Sequence, residues 1–384
     1  MKKRLAIVTT HPIQYNAPWF KLLAKSNSID LKVFYTWEQS QAGTKYDPGF
    51  GKQIQWDIPL LDGYEYTFVK NTSVQPGTHH FKGIINPTLI EEIKSYDPDV
   101  LLVFGWAFVS HLKCIRYFHK KVPILFRGDS TILRKQSSLK SVLRSIFLKW
   151  VYKHVDHALY VGTQNKLYFQ KYGLKLHQLI FAPHAIDNNR FASPDYETEA
   201  TIWKKEIGIE DHELTVLYAG KLEPIKNPYF IISLAKTVTD LSIKFVFVGN
   251  GPLEEELKSL TQNNKQFIFI NFQNQSKMPV VYRLGDIFTL TSKSETWGLG
   301  VNEAMACGRA IMVSETVGCA VDLVQNTNGY IFKENDIASS SNFIRKIASD
   351  KSQVTVMGGE SKKIIQDYSF ENIAYAIEKF VTGL

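Results

Sequence analysis

Cysteine is scarce: Cys114, Cys307 and Cys319 are the three in 384 residues, widely spaced and odd in number. No pair stands at metal-ligand spacing, so neither a disulfide framework nor a zinc site is supported, and a reducing cytoplasm is the expected compartment. A long apolar run is lacking too. The longest, over 100–109, suits a core strand and falls far short of the roughly 20 residues that a spanning helix needs. Met1-Lys-Lys-Arg4 is followed by only Leu5-Ala-Ile-Val-Thr9 before His11-Pro12, too short for the apolar region of a signal peptide. No recognised nucleic-acid motif accompanies the basic charge, and nucleic acid is not the expected partner. What is present is ordinary for a folded chain, with 44% hydrophobic and 21% charged residues.

At about 150 residues per domain, a chain of this length predicts two domains. Charge divides along the same line. Residues 1–185 hold 25 Lys and Arg against 12 Asp and Glu, a net of +13, whereas 186–384 hold 20 against 25, a net of −5. A basic first half implies an anionic partner, either a phospholipid surface or a phosphate-bearing acceptor.

Arg4-Leu-Ala-Ile-Val-Thr9 has the continuous apolar pattern of a parallel strand buried on both faces. The loop His11-Pro-Ile-Gln-Tyr15 follows, and then Trp19, Phe20, Leu22 and Leu23 at helical spacing. Strand, loop and helix open a doubly wound domain, with the loop at the carboxyl edge where ligands bind. Having no glycine, the loop is not a dinucleotide fingerprint. His11 and Gln14 are candidates for substrate contact; otherwise they cap the helix or bond the loop. Residues 37–63, rich in Gly, Asp and aromatics, form a long connection of the functional kind. The strand Val122-Pro-Ile-Leu-Phe126 runs into Arg127-Gly-Asp-Ser130, where Arg127 or Asp129 takes a polar role or Gly128 merely supplies a bend. Segment 133–154 carries Arg134, Lys135, Lys140, Arg144, Lys149 and Lys153 and no acidic residue, interleaved with apolar residues three and four apart. It reads as an amphipathic basic helix, either packing its apolar side inward or lying at an anionic membrane surface.

In the second half, Leu214-Thr-Val-Leu-Tyr-Ala219 is the first strand of a new doubly wound domain, and Lys221 and Lys226 lie on its exit loop. Two ammonium groups there are placed to neutralise a diphosphate, unless they are only solvated charges. A later strand ends in Gly249-Asn-Gly-Pro252, a weak signal by itself, with Gly249 and Gly251 allowing close backbone approach at the crevice. The stretch Glu295-Thr-Trp-Gly-Leu-Gly-Val-Asn-Glu303 then sets two carboxylates eight positions apart around Gly298, Leu299 and Gly300. A helix starting near Leu299 turns its free N–H groups to the loop, which suits a diphosphate, while the two acids suit neutral hydroxyls on the groups flanking it.

Segment 284–324 resembles the nucleotide-sugar signature of the retaining glycosyltransferases of family 4, with their two-domain GT-B architecture. The resemblance implies that Glu295 contacts the donor sugar and Glu303 the ribose. It implies that Lys221 and Lys226 hold the donor phosphates, Lys221 standing where the family has an arginine, and that the backbone near Phe272 and Gln273 meets the nucleobase. Two departures stand out. The family's Gly-Gly pair is absent from the first loop, and its histidine near the donor sugar is replaced by Arg127-Gly-Asp-Ser130. The likeness covers nearly the whole chain, but its specific motifs lie over 214–332.

The expected fold is α/β, two doubly wound domains facing across a cleft: 1–191 for the acceptor, a linker over 192–212, and 213–366 for the nucleotide sugar, with the terminal helix 367–384 packing back onto the first domain. The expected function is retaining transfer of a sugar from a nucleotide-sugar donor to a glycan or lipid-linked acceptor, in cell-surface polysaccharide or glycolipid assembly. Residues 37–63, His11, Gln14, Arg127 and Asp129 are assigned to the acceptor side, and Glu295, Lys226, Lys221 and Asp129 to the chemistry. No DxD-like cluster stands at a strand end, so phosphate charge is expected to be met by lysines and a helix start, with no metal or other cofactor. The expected location is cytoplasmic, at the inner face of the membrane if the basic helix touches it. Two other readings remain, a catalytically silent nucleotide-sugar-binding subunit and an epimerase of the same architecture.

Overall fold

The computed structural model describes residues 2–38, 45–47, 52–54, 59–133 and 138–384. Most of the connection over 37–63, and Arg134 and Lys135 of the basic segment, lie outside the described residues. The chain divides into two units: Met1–Lys45, Pro59–His184 and Phe370–Leu384 form one, Tyr46–Ile58 and Ala185–Ser369 the other.

The strands in chain order are β1 (Lys3–Thr9), β2 (Ile29–Tyr35), the short β3 (Lys45–Asp47) and β4 (Lys52–Ile54), β5 (Glu65–Phe68), β6 (Val100–Phe104), β7 (Ile124–Arg127), β8 (His157–Tyr160) and β9 (Leu179–Phe181). β3 and β4 pair with each other; the rest form one parallel sheet in the order β5-β2-β1-β6-β7-β8-β9. The helices between these strands are α1 (Ala17–Ala24), α2 (Leu89–Tyr96), α3 (Val109–Phe118), α4 (Ser138–Tyr152) and α5 (Thr163–Lys171). The apolar runs became central strands because crossover helices cover both faces of a parallel sheet. Leu101, Val103 and Phe126 pack with Ile115 and Phe118 of α3, Leu148 and Tyr152 of α4 and Phe169 of α5. Each such side chain contributes about 1.5–3 kcal/mol by leaving water.

The second unit holds α6 (Asn188–Ala192), α7 (Glu197–Glu206), β10 (Leu214–Ala219), α8 (Tyr229–Ala235), β11 (Ile243–Val248), α9 (Glu254–Thr261), β12 (Phe267–Ile270), α10 (Met278–Arg283), β13 (Ile287–Leu290), α11 (Leu299–Ala306), β14 (Ala310–Ser314), α12 (Ala320–Leu323), β15 (Gly329–Phe332), α13 (Ile337–Ser349) and α14 (Ser352–Ile364). Its sheet is also parallel, in the order β12-β11-β10-β13-β14-β15. The order reverses between β10 and β13. At such a switch point the exit loops of adjacent strands diverge to opposite faces and leave a crevice for ligands.

Residues 192–212, expected to be a linker, are folded into this unit. The Asp187 carboxylate accepts the Arg190 N–H to cap α6, and α7 follows. Arg283, buried on α10, donates through Nε to Glu197 at 2.8 Å and through Nη2 to the Ser193 carbonyl at 2.7 Å. A buried guanidinium needs acceptors, and this segment supplies them, which its polar composition concealed. The last helix, α15 (Phe370–Thr382), belongs to the first unit: Phe370, Ile373, Ile377 and Val381 are buried, and Glu378 accepts a hydrogen bond from Ser26 just after α1.

Candidate functional site

In the second unit, the loops leaving β10 and β13 bring together residues far apart in sequence. The β10 loop ends in a single 3-10 turn, Pro224–Lys226, followed by Asn227 in the left-handed conformation at φ 52°. Buried Thr291, just after β13, fastens this turn, its Oγ1 lying 2.9 Å from the carbonyls of both Lys226 and Asn227. The Lys293 N–H donates to the Ile225 carbonyl at 2.8 Å. Glu295 then runs beside Val317 in a parallel bridge, with the Gly318 N–H donating to the Glu295 carbonyl at 3.1 Å and the Cys319 N–H to the Trp297 carbonyl at 3.0 Å. A Cβ at Gly318 would stand 1.9 Å from the Thr296 carbonyl oxygen, so glycine is required for this approach.

The consequence is an ion pair. Lys226 Nζ touches Glu295 Oε2, with the two side chains 22% and 19% exposed. Lys226 is expected at the donor phosphates and Glu295 at the donor sugar; in the structure each is the other's counter-charge. Lys221 is half-buried two residues beyond β10, its carbonyl accepting from the Tyr218 hydroxyl at 2.7 Å.

α11 starts at Leu299, preceded by Gly298 at φ 100°, a backbone conformation that glycine adopts without strain. Glu303 lies on the second turn. It is buried and accepts a hydrogen bond of 2.6 Å from the hydroxyl of Tyr282 on α10. Gly300 has a packing reason beyond any ligand, since a Cβ there would stand 3.1 Å from both Phe288 Cζ and Tyr282 Oη.

Gly249 and Gly251 each admit a close backbone approach. Cβ atoms there would stand 2.1 Å from the Gly220 carbonyl oxygen and 2.4 Å from that of Leu222, so what these glycines admit is the neighbouring β10 loop. Between them Asn250, buried, accepts the Phe272 N–H at 2.9 Å and donates to Glu254 at 2.7 Å. The Gln273 amide donates to the Asn271 carbonyl at 3.0 Å. One buried carboxamide therefore sets the backbone expected to meet a base. The roles of Asn250, Tyr282, Thr291 and Gly318 are not legible in the sequence, because each depends on a partner from another segment.

The first unit gathers its candidates at its own carboxyl edge. His11 Nδ1 lies 3.0 Å from Thr10 Oγ1, with the ring edge-on to Trp37, and Gln14 is buried. Asp129 is exposed. Arg127, a candidate for acceptor contact, is buried, and its guanidinium donates to the carbonyls of Ala182 at 2.9 Å and Pro183 at 3.0 Å. It clamps the exit of β7 to the segment after β9, because a desolvated cation takes whatever acceptors lie nearest. Burial lowers its pKa to about 10, with Asp129 opposing, while burial and then Arg127 hold His184 down at about 3. His111, fully buried on α3, has Nδ1 2.8 Å from the Phe104 carbonyl and Nε2 2.9 Å from Thr36 Oγ1. A neutral ring donating through Nδ1 fits both contacts, and burial lowers its pKa to about 4.

Residues 199–364 match the family model of the glycosyl transferases group 1. The UDP-Gal:alpha-D-GlcNAc-diphosphoundecaprenol alpha-1,3-galactosyltransferase of Escherichia coli is 25% identical over 205 residues, 51% of this chain and 51% of its own length. The chain spans about half the length of such curated relatives. Among solved structures, the sucrose-phosphate synthase of Thermosynechococcus elongatus superposes with a TM-score of 0.73 over 100% of this chain and 99% of its own, at 15% identity. Anabaena HepE, solved in complex with UDP-glucose, superposes with a TM-score of 0.68 over 99% of this chain and 100% of its own, also at 15% identity. At these identities the superpositions show the fold, that of the two-domain GT-B glycosyltransferases. Residues 199–364 are thus similar to the glycosyl transferases group 1, within a fold shared with these solved structures.

Proposed function

We propose that this chain is a retaining glycosyltransferase that moves a sugar from a nucleotide-sugar donor to a glycan or lipid-linked acceptor, in the assembly of a cell-surface polysaccharide or glycolipid, without a metal ion. The observation that carries the reading is the Lys226–Glu295 pair beside the start of α11 at the β10/β13 switch point, with Glu303 held by Tyr282 one turn further on. An arriving diphosphate offers Lys226 a stronger partner than one carboxylate, and this frees Glu295 for the hydroxyls of the donor sugar. Glu303 takes the ribose.

In the transfer, the bond from the anomeric carbon to the phosphate oxygen breaks and a bond to the acceptor oxygen forms on the same face. The departing phosphate oxygen takes the acceptor's proton. Negative charge grows on the diphosphate, and Lys221, Lys226 and the α11 amides are fixed positive groups that stabilise it. Acceptor recognition is assigned to the first unit, to His11, Gln14 and Asp129; Arg127 supports that edge through the backbone.

Thermal melts with a panel of nucleotide sugars test donor binding, because a ligand of the native state raises the midpoint with its affinity. The expected result is one donor that shifts the melt and releases nucleotide when acceptor is added, unchanged by EDTA. A shift with no release under any acceptor would make the chain a silent subunit, and turnover without acceptor would make it an epimerase.

A further inference from the structure

The outward side of α4 is apolar. Leu148, Val151 and Tyr152 face the core, but Val142, Leu143 and Ile146 are 57%, 68% and 63% exposed, and Phe147 and Trp150 are exposed with them. Val142, Ile146 and Trp150 stand four apart, as do Leu143 and Phe147, so at 3.6 residues per turn they form one ridge on the solvent side. A helix that faces only water carries polar residues there. Trp150 and Phe147 are braced from below by Arg116, whose guanidinium lies 5.3 Å from the Trp150 ring, and by Trp106, 5.2 Å from Phe147.

Charge selects the partner. Residues 109–154 contain 11 Lys and Arg and a single acid, Asp129. Lys149 and Lys153 are exposed, and the helical turn puts them beside Val142 and Ile146. Long ammonium stems next to an apolar ridge reach lipid headgroups while the ridge enters the acyl boundary. No helix among the described residues is long and apolar enough to cross a membrane.

We infer that α4 is an interfacial anchor that lays its Val142, Leu143, Ile146, Phe147 and Trp150 ridge into a bilayer of anionic lipid, with Lys149 and Lys153 on the headgroups. The sequence reading left the apolar side facing inward or the basic side facing lipid; the structure assigns apolar residues to both sides. This inference stands whether or not the proposed transfer is correct.

The test is flotation of the full chain with vesicles of equal phosphatidylglycerol and phosphatidylcholine, and with phosphatidylcholine alone, at 0.1 and 1 M salt. The chain is expected to float with the anionic vesicles at low salt, with a blue shift of tryptophan emission, and to be released at high salt. Leu143→Asp with Ile146→Asp is expected to lower the partition at least tenfold without lowering the melting midpoint, both sites being exposed. Lys149→Glu with Lys153→Glu, which leaves the ridge intact, is expected to weaken binding and flatten its salt dependence. No flotation at low salt, or undiminished flotation of both double variants, would overturn the anchor. So would a dimer that the Leu143 and Ile146 changes dissociate, since the ridge would then belong to a second copy of the chain.

Discussion

Replacing Lys226 separates the role its ammonium has in the structure from the one proposed for it in transfer. In the structure it neutralises Glu295, and both side chains are about four-fifths buried, 22% and 19% exposed. Two unit charges 4 Å apart at an effective dielectric near 20 attract by about 4 kcal/mol. Desolvation and side-chain ordering offset most of this, leaving about 1 kcal/mol net for the pair. Lys226→Ala, however, leaves the Glu295 carboxylate without its ammonium in a site that is still mostly closed to water, and the expected cost is about 2–3 kcal/mol. For a unit of this size that lowers the melting midpoint by roughly 4–12 °C. Lys226→Met with Glu295→Gln removes both charges and is expected to return to within about 1 kcal/mol of wild type. Activity should not follow. Both variants lose the cation at the leaving diphosphate, so transfer falls tenfold or more, about 1.4 kcal/mol, in each. The assay is a double-mutant cycle read twice, by calorimetric melting and by nucleotide release. Equal melting of the single and double variants, together with wild-type turnover, would refute the assignment of this pair to the site.

Three further expectations concern other groups. Glu303→Ala should abolish the thermal shift produced by the donor while the free protein still folds, and an unchanged shift would remove Glu303 from ribose recognition. Gly318→Ala forces a Cβ against the Thr296 carbonyl, 1.9 Å away, and should cost at least about 2 kcal/mol while lowering donor affinity, because the Glu295 loop must move; a neutral melt would contradict the close approach. His111 supplies a pH dependence: its pKa is lowered to about 4 in the native chain from the ordinary 6.5. Below pH 6.5 the unfolded chain binds a proton that the folded chain refuses, so its stability is full above 6.5 and is lost as pH falls toward 4, by about 3 kcal/mol in all. Urea melts at pH 7 and pH 4.5 should show this slope together with that of His184, lowered to about 3, and His111→Gln should reduce it without abolishing it.

Much of the architecture could be read along the chain. The runs at Arg4–Thr9, Leu214–Ala219 and Ile243–Val248 are strands, the first beginning one residue earlier at Lys3. α11 begins at Leu299, where the glycines and the preceding strand placed a helix start. These elements are legible because a parallel strand must be apolar along its length and a helix start needs particular backbone freedom, both conditions being met by residues within a few positions of one another. The polar run over 192–212 misled for the complementary reason. Its acceptors serve Arg283, about 90 residues on, which local composition cannot reveal.

By itself, then, the sequence determined two α/β halves of opposite net charge and a set of acids and lysines on strand exits in the second. Tertiary structure decided which of them meet. Lys226 and Glu295 are 69 positions apart and become partners only because β10 and β13 are neighbours at the point where the strand order reverses. It decided also that Gly249, Gly251 and Gly318 serve passing backbone, that Arg127 holds carbonyls, and that α4 shows an apolar ridge to solvent. Strand and helix preferences depend on a residue's near neighbours, whereas charge pairing, Cβ clearance and exposure depend on what the rest of the chain brings alongside.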